Sequence, residues 1–471
     1  MTRHVVVIGG GPAGAAAAES ALRHGARVTL IDSNEQLGGQ YNRRIPADYR
    51  VRRPLSIGHG YADADYRARF LAGHPRCEWL AWASVYQIEQ HADGSCPAVR
   101  VLQGPEGEQR TLRVVQGDAL VIATGAYDRV CPFPGWDLPG VYTAGAAQTL
   151  AKTQRVLVGR SVLLSGTGPF LLPVAQSLAV GGATVTAVLE ANPGRHILRH
   201  WGARPWELRH SLGKAGELIE YAVCGVRHRI PLRTSSAVIA VAGDGRAEEA
   251  TIARLDENWT PIPGSRTTVA VDAVAVSHGF TPQHELALAA GARLDPGGFV
   301  RVDHTQRTTA ENVWAAGEIT GIGGAQVSGV EGAVAGIAAA GGDPTADRAL
   351  TARHRTAQQF VARLAAAHPP PARRAGLVAT RDRDLPLRGH HPRRAGRRLD
   401  PHRRRRLPAR QARHPRRAGS LPGPHVRGQY RCAARTFLSR RDGRRRPGRR
   451  HTRLASARRA GTAARTRGTR Q

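Results

Sequence analysis

The sequence contains few lysines, cysteines and aromatic residues, and the arrangement of the cysteines excludes two kinds of site. Lys152 and Lys214 are the only lysines in 471 residues, so almost every basic residue is an arginine. The five cysteines lie far apart and form no C-x-x-C pair, which argues against a disulfide framework and against a cysteine-ligated metal site. Aromatic residues make up 5% of the chain.

Long uninterrupted hydrophobic runs are also scarce. Glycines interrupt the first apolar run, "HVVVIGGGPAG", after a few residues, which predicts no secretory signal and a cytoplasmic location. The most apolar stretch, residues 161–191, contains glycines, prolines and polar residues that fit a strand, a turn and a helix better than a membrane span. We therefore expect no transmembrane segment.

The positive charge is concentrated at one end of the chain. Of the formal net charge of +33, residues 371–471 carry +29, from 33 Arg and 4 Asp, and residues 1–370 carry +4. The nearly neutral body makes nucleic acid a disfavoured partner for it. The tail has two aromatic residues, Tyr430 and Phe437, and no sustained apolar period, so we expect it to be disordered.

Residues 4–32 carry a complete dinucleotide-binding fingerprint. A β-branched run, an alanine-rich helix and a second strand form a β-α-β unit, with Gly9, Gly11 and Gly14 at the first turn and Asp32 after the second strand. The glycines allow a tight turn, approach of a pyrophosphate and close helix–strand packing, and the acid is placed to accept ribose hydroxyls. The same predicted site includes Pro12 and Ala13.

A second β-α-β unit spans residues 161–191 and departs from the fingerprint. Gly166 and Gly168 are present, but Leu171 stands at the third glycine position, where it is expected to push the helix away from the strand. Glu190 ends the second strand and would favour NAD over NADP. Three interpretations stay open: an NAD(P) site, a site for another adenine nucleotide, or a purely structural domain.

Two further motifs indicate a family. "VIATGAYDR" (121–129) and "NVWAAGEITG" (312–321) stand where flavoproteins with two dinucleotide-binding domains carry their alanine-threonine-glycine motif and their second FAD motif. Residues 1–345 therefore resemble the FAD-dependent pyridine-nucleotide-disulfide oxidoreductase superfamily. The resemblance implies FAD, held in part by Ala123, Thr124, Gly125, Gly317 and Glu318, where Glu replaces the usual Asp. It also implies that the helix after "GGAQ" points its N-terminal dipole at the flavin.

The implied fold is α/β, with two interleaved three-layer Rossmann-like domains. The FAD-binding domain comprises residues 1–125 and 285–345, and the NAD(P)-like domain comprises residues 126–284. A helical linker follows at 346–370, and the disordered Arg-rich tail occupies 371–471.

Longer motifs indicate a narrower resemblance. "GGQYNR", "FPGWDLPGVYTAGAAQTLAK" and "SGTGPFLLPVAQSLA" look like the alpha subunits of octopine and nopaline oxidases, hydrogen cyanide synthase and heteromeric proline or hydroxyproline dehydrogenases. Gly39 and Gln40 stand where many relatives carry a redox-active cysteine pair, so disulfide reduction is not expected. The resemblance implies a beta subunit with its own flavin, an amino-acid-like substrate and a separate electron acceptor. The competing interpretation is a self-sufficient NAD(P)H-dependent reductase of a small redox protein.

The tail lies where such alpha subunits carry a [2Fe-2S] module, but its cysteine ligands are absent from this chain. "DLPLRGHH" (384–391) and "LPGPHVRGQY" (421–430) can each be encoded so that the same one-base shift restores cysteine pairs, I-C-R-C-E-G-I and C-Q-G-R-M-C-G-A-N. One hypothesis is therefore a frameshifted cluster module. The other is an authentic basic tail that binds nucleic acid through phosphate contacts. The chain as written predicts no metal site, and no side chain is singled out as a catalytic acid or base.

Overall fold

A computed structural model describes residues 2–46, 49, 61–202 and 212–369 of the chain. All the described residues belong to one compact unit. The Arg-rich tail, including both segments of the frameshift hypothesis, lies outside the described residues. The predictions made for the tail therefore stay predictions.

The first sheet consists of five parallel strands. They are β1 (His4–Ile8), β2 (Arg27–Ile31), β3 (Cys77–Leu80), β7 (Ala119–Ile122) and β18 (Val313–Ala315). Their order in the sheet is β18-β7-β1-β2-β3. The central strands β1 and β7 are buried along their whole length, which matches their continuous apolar runs. Strand β18 comes from a part of the chain almost two hundred residues after β7, so this sheet is built from two separate segments.

Helices cover one face of this sheet. They are α1 (Pro12–Arg23), α2 (Tyr61–Gly73) and α8 (Gly324–Ala339). Helices α1 and α8 approach each other closely because small residues line their contact: a Cβ at Gly332 would lie 2.0 Å from the Ala13 carbonyl oxygen, and one at Gly336 would lie 2.2 Å from that of Ala17. The alanine and glycine content of both helices is thus a packing requirement.

An antiparallel sheet covers the opposite face. Its strands are β4 (Ala83–Glu89), β5 (Ala98–Gln103) and β6 (Thr111–Val115), and α7 (Glu285–Ala289) lies beside it. Val99 and Val101 of β5 pack in one buried cluster with Val6 and Ile8 of β1. Strand β6 is short and largely exposed.

The second sheet is also parallel and five-stranded. Its strands are β9 (Val141–Thr143), β10 (Ser161–Thr167), β11 (Thr184–Glu190), β12 (Leu232–Thr234) and β16 (Ala273–His278), in the order β12-β11-β10-β16-β9. One face packs on α3 (Ala144–Lys152) and α4 (Leu171–Gly181), and the other on β13 (Ser236–Ala242), β14 (Glu249–Arg254) and β15 (Thr267–Ala270). Two further helices, α5 (Gly194–Gly202) and α6 (Leu212–Arg227), lie between β11 and β12 in the chain. The α/β class with two parallel sheets is as predicted.

A two-stranded ribbon joins the two sheets. Strand β8 (Ala126–Asp128) pairs antiparallel with β17 (Phe280–Pro282), so the chain leaves the first sheet and returns to it at one place. The domain boundaries near residues 125 and 284 stay a prediction.

The last described element is a long helix. A short 3-10 helix (Pro344–Ala346) leads into α9 (Arg348–Ala367), where Asp347 caps the N-terminus by accepting a hydrogen bond from the Leu350 N–H at 3.0 Å. Helix α9 lies within the segment 346–370 that was predicted to be a helical linker. Helix α9 packs against α8 and α5 and buries Leu350, His354, Ala357 and Ala367.

Candidate cofactor site

The glycine turn after β1 brings strand, helix and neighbouring strand into contact. Gly9 has φ +102°, and a Cβ there would lie 2.3 Å from the Ala123 carbonyl oxygen of the adjoining strand. A Cβ at Gly14 would lie 1.8 Å from the Gly9 carbonyl oxygen. Any residue other than glycine would clash with the backbone at both positions. The fingerprint glycines therefore have the packing tasks expected of them.

Gly11 has a different role, because its open side faces away from the core. A Cβ there would meet only the Gly39 Cα, at 3.8 Å. Gly11 is the N-cap of α1, no side chain caps this helix end, and Pro12 is the first helical residue. The backbone N–H groups of the first turn thus have no acceptor within the helix, which is the arrangement that binds a phosphate or pyrophosphate.

Asp32 lies at the end of β2, directly beside this turn. Its Oδ2 accepts a hydrogen bond from the Gly10 N–H at 2.5 Å, and its Oδ1 accepts from the backbone N–H and the side-chain amide of Asn34 at 2.7 and 2.9 Å. Because a carboxylate offers about four acceptor positions, one position remains for a ligand hydroxyl. The acid is therefore both a support of the turn and a candidate contact to ribose.

We expect Asp32→Ala to weaken FAD binding about ten- to a hundredfold, because it removes the charged acceptor that supports the turn and contacts the ribose. Asp32→Asn is the matched control: it keeps one acceptor oxygen and should lose less affinity. Equilibrium titration of the FAD-free protein with FAD measures both. Equal affinity of Asp32→Ala and the wild type would contradict this assignment.

Two loops flank the glycine turn. The Gly38 N–H donates to the Gly10 carbonyl at 2.9 Å, which lays the "GGQ" segment with Gly39 and the exposed Gln40 along the turn. On the other side, the Thr124 hydroxyl donates to the Gln283 carbonyl at 2.6 Å. The adjoining Gly125 has φ +79° and open space around its Cβ position. The structure thus brings these predicted residues together with the fingerprint.

Gly317 and Glu318 follow β18, and both depend on a residue that the sequence analysis missed. The buried Glu331 of α8 accepts hydrogen bonds from the Gly317 N–H at 2.9 Å and the Thr320 hydroxyl at 3.0 Å. Burial raises the pKa of Glu331 to about 7, although these two donors oppose the rise. Burial likewise raises the pKa of Glu318 to about 7, with a further increase from the nearby Asp128 carboxylate. The only advance signal for Glu331 was a charge inside an otherwise apolar helix.

Asp128 is a second carboxylate that sequence reasoning did not identify. Its Oδ2 accepts a hydrogen bond from the Gly145 N–H in the first turn of α3 at 2.8 Å, whereas its buried Oδ1 has no partner among the described residues. Burial raises the pKa of Asp128 above its usual value, although the hydrogen bond from the Gly145 N–H opposes the rise. Asp128 can therefore take up a proton more readily than an exposed Asp.

Lys152, at the end of α3, links the second sheet to the "GGQYNR" segment. Its Nζ donates to the Tyr41 carbonyl at 3.3 Å and lies 5.6 and 5.0 Å from the ring centroids of Tyr41 and Tyr61. Burial lowers the pKa of this lysine. The two tyrosine faces partly replace the water that the ammonium group loses.

The second β-α-β unit forms as predicted but differs at the turn. A Cβ at Gly166 would lie 1.7 Å from the Ser277 carbonyl oxygen, and Gly168 has φ +96°. The expectation that Leu171 pushes the helix from the strand is wrong. Helix α4 begins at Leu171, three residues after Gly168, so the Leu171 side chain packs in the core with Val174 at 1% exposure.

The first unit fits FAD on structural grounds: an uncapped helix end, an open side at Gly11 and an acid beside the turn lie together.

Within the described ranges, no cluster of His, Cys, Asp or Glu side chains is arranged to hold a metal ion. No described helix is long and apolar enough to cross a membrane. Four described cysteines, Cys77, Cys96, Cys131 and Cys224, are free thiols.

Comparison with known proteins agrees with this geometry. An opine oxidase subunit from Agrobacterium tumefaciens (strain Ach5) is 31% identical over 386 residues, which cover 76% of this chain and 70% of that protein. Hydrogen cyanide synthase subunit HcnB of Pseudomonas aeruginosa is 29% identical over 347 residues, covering 72% and 70%. Rhodocoxin reductase of Rhodococcus erythropolis is 30% identical over 321 residues, covering 67% and 64%.

Solved structures share the fold. Thioredoxin reductase of T. acidophilum superposes with a TM-score of 0.51 at 20% identity, covering 72% of this chain and 98% of that one. L-proline dehydrogenase of P. horikoshii gives a TM-score of 0.50 at 19% identity, covering 79% and 60%. The family model for pyridine nucleotide-disulphide oxidoreductases matches residues 3–340. The chain therefore belongs to the pyridine nucleotide-disulphide oxidoreductase family and is an FAD-dependent oxidoreductase.

Proposed function

We propose that this chain holds FAD in its first β-α-β unit and serves as the flavoprotein subunit of a heteromeric amino-acid, imino-acid or opine dehydrogenase. The proposed FAD contacts are the turn, loop and carboxylate residues described above: Gly9, Gly11, Pro12, Ala13, Gly14, Asp32, Gly39, Gln40, Ala123, Thr124, Gly125, Gly317 and Glu318. The cytoplasmic location remains a prediction.

Bound FAD would supply a two-electron acceptor for oxidation of a C–N bond. The residues of this chain bind and orient it. The uncapped N-terminus of α1 offers N–H groups to the pyrophosphate, and Glu318 offers a carboxylate to the ribityl hydroxyls. The N-terminus of α8, where the Glu318 carboxyl hydrogen-bonds to the Gly324 N–H, favours negative charge beside it.

Two carboxyl groups near this site can hold protons. Glu318 has a pKa raised to about 7, and Asp128 has a raised pKa and a buried oxygen, Oδ1, without a partner in the described part of the chain. Because the charge of Asp128 raises the pKa of Glu318, Glu318 holds its proton more tightly while Asp128 is ionised. This arrangement suits a site in which protons are taken up and released as electrons enter and leave.

The choice of reaction rests on one observation: similarity over about 70% of both chains to subunits of an opine oxidase and of hydrogen cyanide synthase. Both names describe one component of a larger enzyme, so we propose that a partner protein completes this one. We further propose that the partner carries the amine-oxidising flavin, and that electrons pass through FAD to an acceptor.

A reductase driven by NADH or NADPH is the second candidate, supported by the similarity to rhodocoxin reductase. It would need a working nucleotide site in the second β-α-β unit. Two features count against such a site: α4 begins three residues after Gly168, and Leu171 replaces the third glycine of the fingerprint.

Anaerobic reduction of the FAD-loaded chain distinguishes the two candidates. We expect bleaching of the flavin absorbance by an amino acid, an N-alkyl amino acid or an opine when a co-purified partner protein is present, and not with the isolated chain. NADH and NADPH should leave the flavin oxidised. Rapid bleaching of the isolated chain by either nicotinamide cofactor would instead establish the reductase.

A further inference from the structure

Glu190, which should face a nucleotide ribose in the second β-α-β unit, accepts four hydrogen bonds from its own chain. Its Oε1 accepts from the Thr167 hydroxyl at 2.9 Å and from the backbone and side-chain amides of Asn192 at 2.9 and 3.1 Å. Its Oε2 accepts from the Gly168 N–H at 2.7 Å. Because each carboxylate oxygen offers about two acceptor positions, one position remains on Oε2.

The C-terminal end of α9 lies directly on this acid. His368 Nδ1 is 3.3 Å from Glu190 Oε2, and both side chains are almost inaccessible, with exposed fractions of 9% and 7%. The side-chain amide of Asn192 also reaches the Pro369 carbonyl, at 3.4 Å. Although burial acts to raise the pKa of Glu190, its contact with His368 and its backbone hydrogen bonds hold the pKa below its usual range. The acid is therefore ionised and paired within the chain.

Helix α5 holds the end of α9 in this position. The ring of His196 contacts the Ala366 carbonyl through Nε2 at 2.9 Å, and the Trp201 and Phe360 rings lie 5.7 Å apart between centroids. The last two turns of α9 are thus anchored on α5. The contact of His368 with Glu190 therefore continues the packed interface between α5 and α9.

Buried polar residues hold the acid from the opposite side. Trp259 donates through its indole N–H to Asn192 Oδ1 at 3.3 Å. His278 accepts from the Cys131 N–H through Nδ1 at 3.1 Å, and burial lowers the pKa of His278 to about 4, so this ring is neutral at physiological pH. His278 therefore does not neutralise the charge of Glu190.

The first unit shows the contrast. Asp32 receives its hydrogen bonds only from its own turn, through Gly10 and Asn34, and keeps one acceptor position. The Gly11 N-cap lies at the end of α1, whereas the N–H of the corresponding Gly168 is consumed by Glu190, and α4 starts three residues later. The first unit leaves donors for a pyrophosphate and an acceptor for a ribose. In the second unit the corresponding N–H group and carboxylate hydrogen-bond within the protein.

We propose that His368 and Pro369 at the end of α9 occupy the nucleotide position of the second unit, so that this chain binds one dinucleotide and excludes adenine nucleotides from its second site. The proposal concerns only this site and does not depend on the substrate proposed above. It assigns a blocking role to the end of α9.

The test is isothermal titration of the FAD-loaded full-length chain with NADH, NADPH and ATP. We expect no saturable binding to the wild type at concentrations up to about 1 mM, and at least roughly a tenfold gain in affinity for one of these nucleotides in His368→Ala. Arg355→Ala, at an exposed position of the same helix, is the matched control and should behave as the wild type. Flavin absorbance reports the first site separately, so a failure of FAD binding is distinguishable from a failure of this proposal.

Saturable binding of any of the three nucleotides to the wild type would overturn the proposal. Binding to neither the wild type nor His368→Ala would also overturn it, because His368 would then not be what closes the site. Hydrogen–deuterium exchange of the unaltered chain provides a check independent of the variant. With NADH added, exchange at residues 164–171 and 364–369 should not change, whereas protection of the first segment with exposure of the second would show that nucleotide displaces α9 and would overturn the proposed exclusion.

Discussion

Gly14→Ala is expected to abolish FAD binding and to lower the stability of the protein markedly. The added Cβ would lie 1.8 Å from the Gly9 carbonyl oxygen and 3.3 Å from the Val7 side chain, and neither the strand nor the helix backbone can move without changing the glycine turn. Helix α1 must therefore shift away from β1, and its N-terminal N–H groups lose their position relative to Asp32. We expect the fraction of protein purified with FAD to fall below about a tenth of the wild-type value.

The control is Gly73→Ala, which makes the same chemical change at the end of α2, where no atom lies within 4 Å of the new Cβ. This variant should retain wild-type FAD content. Both variants are measured by the ratio of flavin to protein absorbance and by thermal unfolding. Full FAD occupancy in Gly14→Ala would show that the first unit is not the FAD site.

Replacing Glu331 should change stability in a way that depends on pH. The folded-state pKa of about 7 lies above the usual value of 4.5, so the folded protein binds this proton more tightly than the unfolded chain. The contribution of this group to stability should therefore be greatest below about pH 4.5 and fall by about 3 kcal/mol as the pH rises through 7. Glu331→Gln removes the titration but keeps an oxygen acceptor for the Gly317 N–H. Its Tm should exceed that of the wild type at about pH 8 and vary less between about pH 5 and pH 8.

Glu331→Leu separates the charge from the hydrogen bonds. The Gly317 N–H would lose its acceptor inside the protein, which costs about 1–3 kcal/mol at every pH, whereas the Thr320 hydroxyl keeps the Gly317 carbonyl as an acceptor at 2.8 Å. The loop that carries Glu318 should then loosen, and FAD affinity should fall along with the Tm. A Tm of Glu331→Gln that declines with pH as steeply as that of the wild type would contradict the assigned titration.

The geometry of the first glycine turn follows from the sequence because the residues that form it are close together in the chain. Gly9, Gly11, Gly14 and Asp32 lie within one β-α-β unit, where the strand and helix periods and the glycine spacing place them beside one another. Thr124 and Gly317 were identified through resemblance, and the structure places their segments at the ends of β7 and β18, in the same sheet as β1.

Other residues of the site could not be predicted from the sequence. Asp128 and Glu331 stand in motifs whose spacing gives them no special role, and their raised pKa values arise from burial by distant parts of the chain. Lys152 meets Tyr41 across more than a hundred residues. Leu171 was misjudged because a periodic pattern does not reveal that a helix begins late.

The sequence by itself determined the α/β class, the two β-α-β units, the glycine turn with its acid and the helix after residue 346, since each depends on residues within about thirty positions. Only the tertiary structure decided what happens at the second unit. Its glycines and its acid satisfy much of the local pattern, yet His368 lies on Glu190 because α9 packs against α5. Local periodicity specifies strands, helices and turns, whereas the hydrogen-bond partners of a buried carboxylate depend on long-range packing that no short pattern encodes.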